Sequence, residues 1–565
     1  MSEMLLEHFD LLATAPDGVA RLRELILTLA VQGKLVPQNP GDEPASILLQ
    51  RIRAEKDRLI AEGKIKRDKL LAPISDEEKP FELPQGWEWT SLATVGVINP
   101  RNDAADDTIA SFVQMSSIPV KFTEPHQVEP RMWRDIKSGF TQFAEGDVGV
   151  AKITPCFENG KSTVFQNLSN GIGAGTTELH IVRPLGGIAP RYVLLFLKTP
   201  GFLVGGEAVM TGSAGQKRLP RAYFENKPFP LPPLAEQSRI VARAEELMRL
   251  CDALEAKGQL DAKQHTQLVQ TLLGTLTDSA TAEELAANWQ RVTAHFDLLL
   301  DRPEAVDALE QTILQLAVRG LLVPQDSSDE PASILLQRIR AEKDRLIAEG
   351  KIKRDKLLAP ISDEEKPFEL PQGWEWTSLA TVGVINPRND AADDTIASFV
   401  QMSSIPVKFT EPHQVEPRMW RDIKSGFTQF AEGDVGVAKI TPCFENGKST
   451  VFQNLSNGIG AGTTELHIVR PLGGIAPRYV LLFLKTPGFL VGGEAVMTGS
   501  AGQKRLPRAY FENKPFPLPP LAEQSRIVAR AEELRQLCNE LRHRLNSSRT
   551  TQGHLAEALV ENLAA

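Results

Sequence analysis

Four cysteines in 565 residues cannot make a disulfide scaffold, and Cys156, Cys251, Cys443 and Cys538 offer no zinc spacing. No stretch of about 18 apolar residues occurs, so no membrane-crossing helix is predicted. The opening MSEMLLE lacks the basic start and apolar run of a secretory signal, which predicts a cytoplasmic protein. Positive charge is scarce too: 63 Lys and Arg against 72 Asp and Glu give −9 at pH 7. That total argues against a polyanionic partner unless the charge is unevenly distributed. Hydrophobic content of 42% and charged content of 24% suit an ordinary globular protein. At about 100–200 residues per domain, the length predicts roughly three to five folding units.

An internal repeat reorganises that expectation. Residues 42–247 recur without a substitution as 329–534, at an offset of 287. The same offset continues outside the block in diverged form. Phe9-Asp10-Leu11-Leu12 returns as Phe296-Asp297-Leu298-Leu299, and Leu268, Leu272 and Leu276 fall on Leu555, Leu559 and Leu563. The period is too long for a solenoid, so the chain is a tandem of two large units. An identical middle within diverged flanks points to recent copying of the middle, by nature or by a builder.

Each unit reads as helix, globule, helix. Leu22, Leu25, Ile26 and Leu29 fall at helical spacing before Gly33, and a second helix is predicted from Asp42-Glu43-Pro44 to Gly63. The basic stretch Lys64, Lys66, Arg67 and Lys69 follows. Between Phe81 and Pro232 the pattern is mixed. Strands are predicted over 111–122, 147–153, 162–167 and 177–182, and helices open at Pro190 and at Thr199-Pro200. Beyond it, Ile240, Ala244, Leu247, Cys251 and Leu254 keep 4-3-4-3 spacing, as do Ile527, Ala531, Leu534, Cys538, Leu541 and Leu545. That seam predicts a helix packed on another helix. The predicted fold is therefore a pair of α/β (α+β) globules alternating with long antiparallel helical spacers. Its divisions are 1–80 helical, 81–232 first globule, 233–367 central helical spacer, 368–519 second globule and 520–565 helical. If the N-terminal helices pack with the C-terminal one, the central arrangement is recreated, and the two globules are expected to be related by an approximate two-fold axis.

No complete catalytic set is found. Gly160-Lys161-Ser162 invites a phosphate-loop reading, but Pro155 stands where the motif needs glycine. No Gly-x-Gly-x-x-Gly follows a predicted strand. Glu62-Gly63-Lys64 is better read as a helix end, and Cys251 and Cys538 as small apolar residues on the seams. His126, His180, His413 and His467 show no metal-ligand spacing and read as solvated or core residues. Trp87 and Trp89 read as packing anchors. No cofactor is expected in this chain.

Binding is the stronger prospect. Between residues 152 and 232 there are nine Lys and Arg against four Asp and Glu, a net of +5. The acid therefore belongs to the helices, and local charge decides whether a polyanion docks. Two stretches concentrate hydrogen-bond donors. The first contains Lys152, Thr154, Asn159 and Lys161, repeated as Lys439, Thr441, Asn446 and Lys448. The second contains Thr211, Ser213, Ala214, Gln216, Lys217 and Arg218; the donors recur as Thr498, Ser500, Gln503, Lys504 and Arg505. Gln pairs well with adenine, and Arg or Lys with guanine. Solvated surface loops are the plainer reading of the same composition.

Leu83-Pro84-Gln85-Gly86-Trp87 opens the globule, Ser213-Ala214-Gly215-Gln216 lies late in it, and Pro230-Leu231-Pro232-Pro233-Leu234-Ala235-Glu236-Gln237 closes it. In this order, repeated twice, these motifs resemble the specificity subunit of type I restriction–modification systems. The resemblance implies target recognition domains that each contact half of a split double-stranded DNA sequence, and helices that space them and dock two modification (methyltransferase) subunits. S-adenosylmethionine and ATP are then implied for the modification and restriction subunits, not for this chain. Members of the family usually carry two different recognition domains, whereas these two are identical, which predicts a palindromic bipartite target. The alternative is a non-catalytic adaptor whose globules bind protein or glycan.

Overall fold

The computed structural model describes residues 9–67, 74–213, 215–279, 281–354, 360–500 and 502–564. The opening MSEMLLE, Lys69 and Ala214 lie outside the described residues. The chain forms two compact units, Met1–Asp261 with Ser548–Ala565, and Ala262–Ser547.

In the first unit, α1 (Gly18–Val31) buries Leu22, Leu25, Ile26 and Ala30, the residues its periodicity turns to one side. It stops where expected. Gly33 takes φ +72°, and the Lys34 amide donates to the Leu29 carbonyl, satisfying a helix-end acceptor that an L side chain would strain to reach. The second helix, α2 (Ala45–Ala61), follows Pro44 and ends at Gly63 in the same way, with the Lys64 amide on the Leu59 carbonyl.

The globule begins and ends on one antiparallel ribbon. Strand β1 (Glu88–Ser91) pairs with β10 (Pro228–Leu231), in register Trp89 to Pro230. Prolines are tolerated in β10 because it is an edge strand. Eight more strands lie between: β2 (Gly96–Ile98), β3 (Ile109–Val113), β4 (Glu129–Met132), β5 (Thr141–Ala144), β6 (Val148–Ala151), β7 (Ser162–Val164), β8 (Ile172–Gly175) and β9 (Leu179–Pro184). They make two four-stranded sheets, β2-β9-β6-β7 and β4-β3-β8-β5, antiparallel except for the β3–β8 pair. The long strand predicted over 111–122 is a difference. The strand ends at Val113, and a short 3-10 turn, Met115–Ser117, breaks it. Helix α3 (Pro190–Leu197) opens at its proline, and α4 (Pro200–Val209) is capped by Thr199, whose Oγ1 accepts from the Phe202 amide. All of Tyr192 to Leu197 is buried, so α3 is the hydrophobic spine of the globule.

Helix α5 (Leu234–Thr277) carries the predicted seam, with Ile240, Ala244, Leu247 and Cys251 buried. The motifs at the two ends of the globule meet at its start. Trp87 Nε1 donates to Glu236 Oε2 at 2.9 Å, Gln38 Nε2 donates to Glu236 Oε1 at 2.7 Å, and the Ala189 amide donates to Gln237 Oε1 at 3.0 Å. Burial pushes the Glu236 carboxyl up, and the hydrogen bonds from Trp87 and Gln38 oppose that shift. Trp87 is thus a packing anchor, as expected.

The second unit repeats the order with α6 (Pro303–Val318), α7 (Ala332–Ala348) and a globule whose strands recur at the offset of 287. Its core takes Val269, Leu273 and Leu276 from the far half of α5. The first unit takes the equivalent segment from the end of the chain. The last turns of α8 (Leu521–Ala564) place Ala556, Leu559 and Leu563 against the core containing Leu22 and Ile26, and Arg21 pairs with Glu557 at 3.3 Å. The N-terminal helices and the C-terminal helix do pack together.

Candidate nucleic-acid interface

The two donor-rich stretches, 50 residues apart in sequence, form one surface. Arg218 bridges both Ile153 and Thr211 through its backbone, the Leu219 amide donates to the Lys152 carbonyl at 2.7 Å, and the Thr154 amide donates to the Lys217 carbonyl at 3.0 Å. Thr154 Oγ1 accepts from the Lys217 amide at 3.2 Å. Between Thr211 and Arg218 the chain folds back on itself, with the Gln216 amide on the Ser213 carbonyl. Gly212 sits at φ +134°, and a Cβ there would lie 2.7 Å from the Gln216 carbonyl oxygen, so this tight return needs glycine.

The turn carrying Asn159 is held from below. Lys198, buried at the end of α3, donates from Nζ to the carbonyls of Val120 and Gly160 at 2.7 and 2.9 Å. Burial pushes its pKa down to about 7. Gly206 of α4 packs on the Phe157 ring so closely that a Cβ would stand 2.3 Å from it. The other stretch rests on His180, a core histidine 5% exposed that hydrogen-bonds the Leu219 carbonyl through Nε2 at 3.0 Å and stacks on Phe224. Its pKa falls to about 4 because burial disfavours the charged ring.

The candidates fall into three groups. Lys152, Thr211, Ser213, Gln216 and Lys217 lie on the joined segments and Asn159 on the exposed turn that leads away from Thr154, and among the described residues none of these side chains has a hydrogen bond or ion pair. Arg218 is at the same place but engaged: Nε and Nη2 bond Glu178, with Nη2 to Oε1 at 2.8 Å, which holds the Glu178 carboxyl below the usual carboxylate range. Lys161 turns inward, and its Nζ donates to the Met115 carbonyl at 2.8 Å, so its charge is committed to the protein backbone. Ser162 likewise donates to the Gly160 carbonyl, and no phosphate loop is formed. The second globule repeats all three groups: Lys439, Asn446, Thr498, Ser500, Gln503 and Lys504 are uncommitted, Arg505 bonds Glu465, and Lys448 bonds the Met402 carbonyl. There Thr441 accepts from the Lys504 amide at 3.1 Å.

Glu178 is the residue that sequence reasoning missed. It lies 40 residues from Arg218, in the turn between β8 and β9, and its carbonyl also accepts from the Lys152 amide. The surface therefore offers hydroxyl, amide and ammonium donors around one carboxylate–guanidinium pair, a set able to donate to phosphate oxygens and base edges. No group of three or more His, Cys, Asp or Glu that could hold a metal occurs among the described residues. No single helix there is long and apolar enough to cross a membrane.

No family model matches the chain. The specificity subunit of the type I restriction enzyme EcoAI of Escherichia coli is 46% identical over 559 residues, covering 96% of this chain and 93% of that protein. The EcoEI specificity subunit of the same species is 44% identical over 562 residues, with the same coverage. A chain solved in a study of the assembly and conformational transition of the type I R-M system shares the fold, with a TM-score of 0.51 at 18% identity over 86% of this chain and 99% of its own. The likeness to the two Escherichia coli proteins spans both globules and the helical regions around them, as the quoted motifs implied. The chain belongs to the specificity subunits of type I restriction–modification systems, the non-catalytic members of those complexes.

Proposed function

We propose that each globule reads one half of a bipartite double-stranded DNA target through the surface built by residues 152–159 and 211–218 and its copy, while the helices dock two modification subunits. The observation that carries this reading is the joining of two segments that bear five uncommitted donors, with Asn159 on the adjoining exposed turn, in a globule half with net charge +5, duplicated without a substitution. Hydroxyls and ammonium groups suit the phosphate backbone, and Gln216 and Asn159 suit base edges. Arg218, held by Glu178 and with Nη1 on the Gln216 carbonyl at 3.4 Å, adds its positive charge to the same place. Because both readers are identical, the target is one half-site in two inverted copies. Methyl transfer and DNA translocation belong to the partner subunits, with S-adenosylmethionine and ATP bound there, and the assembled complex works in the cytoplasm.

Gln216→Ala with Gln503→Ala separates reading from folding. The assembled complex is expected to form normally but to lose methylation of its sites or accept altered ones. Unchanged methylation at the same sites rules this surface out as the reader. Lys217→Ala with Lys504→Ala should instead weaken binding across all sequences and make the log–log salt slope shallower by about 1 for each phosphate no longer neutralised.

A further inference from the structure

Tandem repeats this similar face a hazard that single domains do not. Segments of one repeat fit the other, or the same repeat of a second chain, and exchange produces misassembled and swapped species. Within residues 42–247 and 329–534 nothing discriminates, because the two copies are identical. The flanking helices also keep their apolar faces: Leu22, Ile26 and Ala30 of α1 correspond to Leu309, Ile313 and Ala317 of α6, and Cys251 of α5 to Cys538 of α8.

Charge is different. In the first unit, Arg23 of α1 bonds Asp252 and Glu255 of α5 at 2.7 and 2.8 Å. The equivalent positions of the second unit carry Glu310, Asn539 and Arg542. There Arg542 of α8 bonds Glu310 of α6 at 3.1 Å and Asp307 at 2.6 Å, and Arg535 of α8 lies 3.6 Å from Glu310. The same helix-to-helix junction is made with its signs reversed.

We infer that this reversed ion pair is an identity code by which each repeat accepts its own α5-type helix and rejects the other. Exchange sets Arg23 against Arg542 in one junction and Glu310 against Glu255 in the other. Both pairings place like charges in partly buried positions, and both leave the correct arrangement as the one that satisfies each charge. The inference concerns how the chain assembles, and it stands whether or not the globules read DNA.

The test uses the full chain, refolded by dilution from denaturant and resolved by size exclusion. Arg23→Glu with Asp252→Asn and Glu255→Arg gives the first junction the signs of the second. Each unit then keeps an attractive pair, so Tm should stay near the wild-type value, but the code is erased. Monomer yield should fall several-fold in favour of concentration-dependent oligomers. Adding Asp307→Ala, Glu310→Arg, Arg535→Met, Asn539→Asp and Arg542→Glu gives the second junction the residues of the first, where Ala20 and Met248 stand opposite no charge of like sign; this restores the difference between repeats and should restore monomer. Wild-type monomer yield from the first variant overturns the inference. So does a fall in yield that the fully reversed variant fails to repair, because the defect then follows the altered side chains and not the match between them.

Discussion

The two globules have one sequence but not one environment, and the clearest difference lies where each meets its long helix. In the first unit, Lys121 reaches out to Glu255 of α5 at 3.0 Å, and Thr123 donates to Asp252 at 2.5 Å. In the second, the same lysine is Lys408, and the residue it would meet is Arg542. Lys408 turns instead to Glu411 of its own loop at 3.4 Å, while Thr410 keeps only a 3.4 Å hydrogen bond with Asn539. The helix pair differs in the other direction. Arg542 and Glu310 have side chains 13% and 10% exposed, against 22% and 34% for Arg23 and Glu255. The first junction is thus wetter and ties down the globule with an ion pair; the second is drier and meets the globule only through Asn539 on Thr410 and Arg535 over the Phe409 ring. The identical block ends at Leu247 and Leu534, one residue before Met248 and Arg535, where the two junctions begin to differ. An identical globule is thus anchored by helix segments that are not identical.

Breaking the drier junction should cost most. Arg542→Ala leaves Glu310 only the more distant Arg535, 3.6 Å away, in a poorly hydrated site and is expected to destabilise the second unit by about 3 kcal/mol, since a buried charge that loses its hydrogen-bonded partner is expensive. Arg23→Ala should cost less, about 1–2 kcal/mol, because Asp252 and Glu255 regain water. Thermal unfolding of the two variants checks the order, and an equal or reversed order refutes the contrast in burial. The sharpest comparison uses one substitution at two identical residues. Lys121→Ala should lower stability by about 0.5 kcal/mol, whereas Lys408→Ala should have no measurable effect, as an exposed pair within one loop contributes little.

Acid offers a further way to distinguish them. Hydrogen bonds from Lys121 and Arg23 hold the Glu255 carboxyl below its usual range. Its folded pKa is below its unfolded one, so its contribution is present at neutral pH and is lost as pH falls through the depressed value. Position 542 carries an arginine, which does not titrate there. Glu255→Gln should therefore flatten part of the loss of Tm at low pH, and an unchanged acid limb would show that this carboxylate is not engaged. His180 adds an earlier loss. With its folded pKa near 4, its contribution is complete above about pH 6.5 and declines as pH falls from there toward 4.

The helices were legible because their signals are local: leucines at helical spacing, Gly33 and Gly63 as stops, Pro190 and Thr199 as starts. The sheet was less so. All of β4, Glu129–Met132, is exposed and shows no alternation of burial to read. Gly173 and Gly175 of β8 are strand residues because the Phe143 ring and the β3 carbonyls leave no room for a side chain, a fact of packing that composition does not carry. At the site, the donor-rich stretches could be read from residue type, but the inward turn of Lys161 and the capture of Arg218 by Glu178 depend on partners 46 and 40 residues away. The reversed charges were in the sequence throughout. They became meaningful only once the structure set Arg23 beside residues 229 and 232 positions away.

The central claim is that one reader, present twice, recognises one half-site twice. Mapping methylated bases by sequencing in cells that carry this chain with its modification partner tests it most directly. The account predicts a single half-site in two inverted copies separated by an unspecified spacer; two unrelated half-sites would contradict it.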